Sequence, residues 1–397
     1  MNNLDEKIWH HKNFNMVQEV DISGEFIYNG ITALNQSNFT RDTALLFSAL
    51  YNIAVGIERI QKIILILAEE ITINNYEDFE KQLITHSHTG LQARINKKIS
   101  LDLNPRENEL LQLLQNFYNT GRYNRFNLFS SYENESVAIS EYTLKYADKN
   151  KIELAQDTIV LNDYVKDLFG KVVGSISKKY YAALEDLCSK ANTFSYELRS
   201  GSKAQKVFLN EHNKNSLYSQ KVDERIAFTE FLIYLANNKD FSPVMCYIKT
   251  LEPLEIEQAF IQGYIDELSK GNVPQDLIDE VEHHYEEREY SKNRIESVKV
   301  LSNTLACFDT WVLFECRDLL KEFVEKKVTC SNFIESFQKR FQKISNYIDY
   351  DDFDEINTFD ELERLCDEYV SNSTVNEDAI LSCVRILLEY LNSIYNY

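Results

Sequence analysis

The chain is poor in the residues that break and turn a backbone. It holds ten glycines and four prolines in 397 positions. An all-β or α/β chain of this length needs many tight turns, and those turns are made largely with glycine and proline, so both classes are disfavoured. Long apolar runs are missing as well. The longest in the first third is Ile63 to Ala68, and nothing later is long enough to span a bilayer. Met1 to Asp21 is mostly polar and carries no basic-then-apolar leader. Cysteine pairs are missing too. The seven cysteines are Cys188, Cys246, Cys307, Cys316, Cys330, Cys366 and Cys383, with no CxxC and no zinc-ligand spacing. An odd number of thiols scattered over apolar positions reads as reduced and buried. A soluble, cytoplasmic protein with no membrane partner is expected. The sequence has no Walker loop, GxGxxG, GxSxG or HExxH, which removes the common nucleotide-binding, hydrolase and zinc-protease signatures. No cofactor and no metal site is expected.

Positive charge is the last scarcity. Forty-two basic side chains stand against 63 acidic ones, a formal net charge of −21, and most of the excess acid lies beyond residue 150. Such a field repels nucleic acid and anionic membranes at long range. It serves solubility first, and it suits a basic protein partner.

What is present is helical periodicity. Hydrophobic residues make up 44% and charged ones 26% of the chain, the balance of a soluble globular protein long enough for more than one domain. Leu46, Leu50, Ile53, Ile57, Ile60, Ile64 and Leu67 follow one another at steps of four and three. That spacing sets them on one face of a helix of about 28 residues. Thr40 is its expected N-cap, with Asp42 in the first turn. Val55, Ile63 and Ile66 widen the stripe, so this helix is expected at the centre of a bundle with Ile57 and Ile60 fully buried. The first 40 residues look irregular, and Ile22 to Gly30 reads as an extended piece or a docking turn. Short helices are expected near Tyr76 to Ile84 and after Thr89. A fourth follows Pro105, a good first helical residue, and Gly121 is its expected terminator. Ser130 to Asn134 reads as a linker. Helical patterns then cover Val137 to Tyr146, Ile152 to Phe169, Tyr180 to Leu198, Lys221 to Asn237, Ile256 to Lys270, Gln275 to Glu289, Ser291 to Lys327, Asn332 to Tyr347, Phe359 to Val370 and Glu377 to Tyr395. The expectation is an all-α, multi-helix protein of at least about ten helices. It falls into an N-terminal bundle over residues 1–130 and a larger, acidic helical region over residues 131–397.

Three short motifs in the first third carry a family resemblance. Gly56, Glu58 and Lys62 stand as Gly-x-Glu-x-x-x-Lys on the central helix. His86 and His88 precede Leu91 in Thr85-His86-Ser87-His88-Thr89-Gly90-Leu91. Arg122 and Tyr123 close the fourth helix. Over residues 40–130 the chain resembles the HEPN family of helical bundles. One branch of that family shows an Ala/Gly-x-Glu-x-x-x-Lys helix, a later His-x-Leu segment and a terminal Arg-Tyr-Pro. Here Asn124 replaces the proline, and the His-to-Leu spacing departs from the usual one. The family's ribonuclease branch also carries an Arg followed, after four to six intervening residues, by a His on the same helix. None of His10, His11, His86, His88, His212, His283 and His284 has such an arginine upstream. The resemblance implies a HEPN-like scaffold without the usual nuclease motif. It implies a protein of a bacterial conflict system, such as phage defence or toxin–antitoxin, that binds RNA, a nucleotide or a protein partner.

The residues that would form the ligand site are Arg59, Lys62, His86, His88, Arg122, Tyr123 and Arg125. Each also has a plain structural explanation. Glu58 and Lys62, four apart with the acid first, make a routine helix ion pair. His86 and His88 flank a helix start, where polar side chains cap. Arg122 and Arg125 sit at a helix end, where positive charge complements the dipole. The functional alternative is a cleft. If the fourth helix ends beside the middle of the central one, Arg59, Lys62, Arg122 and Tyr123 converge with His86 or His88 around a phosphate or another anion. Arginine interleaved with tyrosine is also a composition that grips single-stranded nucleic acid. Binding rather than cleavage is expected, because the nuclease spacing is missing and a lone histidine needs an oriented partner. The competing class is a non-catalytic acidic helical scaffold or immunity protein that docks a protein partner, a homodimer included. A basic patch near Arg122 would favour RNA, and a broad apolar or acidic face would favour the scaffold. His283 to Arg288 and the acidic run from Asp349 to Glu355 read as solvated faces rather than metal sites.

Overall fold

A computed structural model describes residues 3–72, 74–129, 134–209, 216–237, 243–287, 319–344, 356–372 and 376–394, with a few isolated positions between 294 and 317. The protein is all-α. Its helices are α1 (Asn3–His10), α2 (Met16–Gln36), α3 (Thr43–Ala68), α4 (Tyr76–Leu83), α5 (His88–Asn96), α6 (Pro105–Asn116), α7 (Arg122–Asn124), α8 (Asn134–Tyr146), α9 (Asp163–Ala191), α10 (Lys203–Phe208), α11 (Leu217–Asn237), α12 (Pro243–Thr250), α13 (Ile261–Ser269), α14 (Gln275–Glu287), α15 (Cys330–Ile344), α16 (Ile356–Asn372) and α17 (Glu377–Ile394). Single π-type turns, His11–Asn15 and Phe117–Gly121, join α1 to α2 and α6 to α7. No helix among the described residues is long and apolar enough to cross a membrane.

The chain divides into two compact units. The first is Met1–Leu232 with Asp266–Asn272, and the second is Ile233–Ile265 with Val273–Tyr397. The first is built around α3. The whole seam from Leu46 to Leu67 is buried, and Ile57 and Ile60 are fully enclosed. Sequence patterning placed a boundary near residue 130, but this unit runs on to Leu232 because α8 and α9 also pack on α3. Phe169, Val173, Ile176, Tyr180 and Leu184 of α9 enter the same core.

The segment Ile22 to Gly30 is neither extended nor a turn, and the first 40 residues are not irregular. Ile22 to Gly30 lies inside α2, where its glycines mark close approach rather than a break. A Cβ at Gly30 would lie 2.5 Å from Ile53 Cγ1 and 2.9 Å from the Ala49 carbonyl oxygen. The reciprocal contact is at Gly56, where a Cβ would lie 2.5 Å from Ile27 Cγ1 and 2.8 Å from the Ser23 carbonyl oxygen. The Ser23 hydroxyl donates to the Gly56 carbonyl at 2.7 Å. The two helices therefore touch nearly backbone to backbone, which only residues without a Cβ allow.

Local pairing moved three other boundaries. α3 begins at Thr43, not Thr40, because the Asp42 carboxylate turns back to accept the Asn38 and Phe39 amides at 2.6 and 2.9 Å. Thr40 instead meets the Thr158 hydroxyl at 2.9 Å. Thr158 belongs to a two-stranded hairpin, Leu154–Ala155 with Thr158–Ile159, which replaces the expected start of a helix at Ile152. Gln156 and Asp157 turn it with φ of 50° and 61°, the left-handed pair that such a hairpin needs. Beyond it, α9 is one 29-residue helix capped by Asn162, whose side chain accepts the Val165 amide, and left-handed Asn192 ends it. Gly121 terminates nothing. It holds a right-handed φ of −58° in the π-type turn, and the chain continues helical to Asn124.

In the second unit, α15, α16 and α17 enclose a core of their own. Phe323, Phe333, Phe337, Phe341 and Phe359 stack in sequence, with successive ring centroids 4.3, 5.8, 5.4 and 5.9 Å apart. Cys188, Cys330, Cys366 and Cys383 are free, buried thiols. Burial pushes Cys366 up to about 12 and Cys383 up to about 11. The expected linker at Ser130 to Asn134 falls almost wholly outside the described residues. The acidic run from Asp349 to Glu355 falls wholly outside them, and so does most of the expected helix Ser291 to Lys327.

Candidate functional site

A cleft of about 650 Å³ lies over the middle of α3. Glu58, Arg59 and Lys62 of α3 line it with Glu19 of α2, His11, His86 and Tyr118. His86 sits in the turn between α4 and α5, and that turn is pinned from two sides. Ser87 caps α5 by accepting the Gly90 amide at 3.1 Å. The Gln115 side-chain carbonyl on α6 accepts from the Ser87 hydroxyl, the Thr89 amide and the Thr89 hydroxyl at 2.8, 3.1 and 2.7 Å. Beneath the turn a buried polar chain ties three helices together. Gln61 Nε2 donates to the His88 carbonyl and to the Tyr180 hydroxyl, and that hydroxyl donates to Gln92 Oε1 at 2.6 Å.

Glu58 is the hub of the cleft. Its nearly buried carboxylate accepts the Lys62 ammonium at 2.7 Å and His86 Nδ1 at 3.0 Å. A carboxylate only accepts, so Nδ1 of His86 carries the proton and Nε2 is the basic nitrogen. This carboxylate–imidazole pair has the geometry in which one group orients a general acid or base. The His86 ring rests on Tyr118 with centroids 4.8 Å apart. Across the cleft, Arg59 pairs with Glu19 and lies over Phe26.

Arg122 reaches the same cluster from the start of α7, just past the π-type turn that follows α6. Its guanidinium carbon sits 3.9 Å from the Tyr118 ring centroid and 4.7 Å from that of Tyr123. Among the described residues it pairs with no carboxylate, and its buried Nε has no hydrogen-bond partner. Burial raises the Tyr118 phenol above its ordinary value, against the lowering charge of Arg122. The helix end does return beside the middle of α3, and it brings Arg122 and Tyr118 to the Glu58–Lys62–His86 group.

No protein-family model matches this chain, and no curated protein or solved structure does either.

The structure places the residues proposed from sequence in two groups. Arg59, Lys62 and His86 line the cleft, Arg122 stacks on one of its walls, and the exposed Tyr123 covers Arg122. His88 and Arg125 lie elsewhere. His88 is fully buried and its Nε2–H donates to the Ala54 carbonyl at 2.9 Å. Burial holds its pKa below the ordinary histidine value, outweighing that hydrogen bond and the charge of Glu58. It is a neutral packing residue. Arg125 makes a two-pronged pair with Glu135, whose side chain is wholly buried. The sequence pattern sets Tyr118 beside Arg122 but leaves Glu19 and His11 out of the site and offers Glu58 only as the partner of Lys62. Helix spacing announces the Glu58–Lys62 pair, but nothing local announces that His86, 28 residues on, shares the same carboxylate.

Proposed function

We propose that this chain is a HEPN-like protein of a bacterial conflict system whose cleft binds single-stranded RNA, phosphate on Arg122 and a base on the exposed ring of Tyr123. The observation that carries this reading is Arg122, which has no carboxylate partner among the described residues and lies against the rings of Tyr118 and Tyr123 beside a cleft in a chain of net charge −21. Arginine beside aromatic faces is the arrangement that holds a sugar–phosphate chain and its bases together. The oriented His86 adds a general acid or base in reach of the same ligand.

Arg122→Ala is the clean test, because it leaves no carboxylate without its partner, whereas Lys62→Ala would strip the nearly buried Glu58. Fluorescence anisotropy with a labelled single-stranded RNA oligomer should show a loss of at least about tenfold in affinity, as expected for one charge-assisted contact. The melting temperature should stay near that of the wild type. Equal RNA affinity in a folded Arg122→Ala protein would refute the reading. Incubating the same oligomer with wild type and with His86→Ala asks separately whether the bound RNA is cut.

A second reading, a docking scaffold, is favoured by the exposed run Tyr123, Phe126, Leu128 and Phe129. Exposed aromatic groups this close in sequence mark a surface that another molecule covers. A second copy is the simplest occupant. Sedimentation velocity should then show a dimer in the wild type and a monomer in Phe126→Ser/Phe129→Ser.

A further inference from the structure

A second cavity, of about 300 Å³, lies in the first unit away from the Glu58 cleft, among α2, α10, α11 and the turn after α13. That volume is at the small end of the range for small-molecule sites. Three ammonium groups line it, from Lys203, Lys221 and Lys270, against one carboxylate, Glu224. Lys206 adds a fourth cation beside them by pairing with Glu224 at 2.9 Å. Glu224 also accepts from Lys221 and from the Tyr28 hydroxyl, both at 2.7 Å. Burial would raise this carboxyl, but those hydrogen bonds overcome it and hold it down to about 2. It therefore stays ionised and is saturated with donors. The other acids nearby are already engaged, Glu25 with Lys203 at 2.6 Å, and Asp266 and Glu267 with Lys270 at 2.6 and 3.4 Å. Four lysine ammoniums thus stand against four carboxylates, so a phosphate bound here takes over one of these pairings rather than filling a charge surplus.

An independent observation comes from Asn35, which lines the cavity and is 1% exposed. Both polar atoms of its carboxamide are buried without a hydrogen-bond partner. Its backbone carbonyl is satisfied by the Lys166 ammonium at 2.7 Å, so the side chain alone is left over. Leaving a buried amide donor and acceptor unmade costs their full desolvation with no hydrogen bond in return. Such a group stands out unless a ligand uses it. Tyr28 and Phe228 supply aromatic faces to the same space.

We propose that this cavity is a binding site for a purine nucleoside monophosphate. Its phosphate sits among Lys203, Lys221 and Lys270. The donor–acceptor edge of its base meets the Asn35 carboxamide, the pairing that asparagine makes with adenine. The site is separate from the RNA-binding cleft and stands whether or not that function holds.

The test is calorimetric titration of the whole protein with AMP, adenosine and ribose 5-phosphate. AMP should bind at least about tenfold tighter than either fragment, since each lacks one half of the recognition. Asn35→Leu should fold, since it removes an unpartnered amide from the interior, and it should bind AMP no better than ribose 5-phosphate. Lys203→Ala, at the exposed rim, should weaken AMP about tenfold and leave adenosine unchanged. Arg122→Ala should leave AMP binding intact. The proposal is overturned if AMP fails to bind at millimolar concentration, if it binds no tighter than ribose 5-phosphate, or if Asn35→Leu binds it as the wild type does. Loss of AMP binding in Arg122→Ala would place the nucleotide in the other cleft. That also overturns this site while leaving the RNA reading intact.

Discussion

Replacing a helical glycine by alanine should have opposite effects at two positions of this protein. Inside a helix, alanine is favoured over glycine by about 1 kcal/mol, because glycine loses more backbone entropy on folding. At Gly263 in α13, a new Cβ meets no described atom within 4 Å. Gly263→Ala should therefore stabilise by about 0.5–1 kcal/mol, the bare propensity difference. At Gly56 the same Cβ would overlap Ile27 Cγ1 at 2.5 Å, the Ser23 carbonyl oxygen at 2.8 Å and the Ile27 amide nitrogen at 3.0 Å. Two of these are backbone atoms, so no side-chain rotation relieves them and α2 must move off α3. Overpacking of this kind costs about 1–3 kcal/mol. Separation also stretches the Ser23-to-Gly56 hydrogen bond, worth about 1 kcal/mol. After subtracting the propensity gain, Gly56→Ala should destabilise by about 1–3 kcal/mol. Scanning calorimetry, which records the transitions of both units, would show the first unit melting earlier in Gly56→Ala and the second melting later in Gly263→Ala. A Gly56→Ala protein that melts at or above the wild-type temperature would refute the close helix contact and the packing argument with it.

Ile57→Ala should cost about 2–5 kcal/mol in chemical denaturation, since it empties a fully enclosed position in the central seam. A loss below about 1 kcal/mol would mean that the seam faces outward. Arg125→Ala should cost about 3–5 kcal/mol, because it strands the wholly buried Glu135 carboxylate. The charge-removing Glu135→Gln in the same background should recover part of that loss, and no recovery would show that the pair matters only for packing. Stability should fall as pH drops below the ordinary histidine value of 6.5, because His88 is held below that value when folded but takes up a proton readily when unfolded. The unfolded state then binds more protons, so acid favours it. His88→Gln should flatten the decline between pH 6.5 and about 5, and an unchanged slope would point to other groups, His11 among them.

The central helix was legible because its signal is local. The steps from Leu46 to Leu67 need no knowledge of any partner, and a stripe widened by Ile63 and Ile66 marks a helix surrounded on several sides. The glycines of α2 misled for the opposite reason. Gly24 and Gly30 resemble breakers along the chain, and their meaning appears only when Ala204 and Ile53 come against them. The hairpin at Leu154 to Ile159 depends on the Phe39–Val160 bridge and the Thr40–Thr158 contact, which join positions more than a hundred residues apart. A helical spacing in that stretch therefore lost to a tertiary pairing. The site divides along the same line. Arg59, Lys62 and His86 belong to short motifs, whereas Glu135 as the partner of Arg125 and Ala54 as the acceptor for His88 lie on other helices. His86 and His88 look alike in sequence. They differ because His88 opens α5 and turns into the core, while His86 stays in the turn and meets Glu58.

Charge balance decides what the Glu58 cleft can select. Lys62 already holds Glu58 and Arg59 already holds Glu19, so an anion that uses either must compete with a carboxylate in place. Among the described residues Arg122 has no such competitor, so under the proposed function the first phosphate contact falls to it. A single such cation at the cleft of a chain of net −21 attracts a polyanion weakly at long range, and the attraction fades further as salt rises. Affinity must then come from contacts that the bulk field does not oppose, and the candidate here is the exposed ring of Tyr123, because Tyr118 is buried beneath Arg122 and stacked on Tyr51. Under the proposed function that ring stacks an unstacked base and has nothing to offer a base buried in a duplex. Under the proposed function the cleft therefore favours single strands over double strands, through stacking rather than through charge.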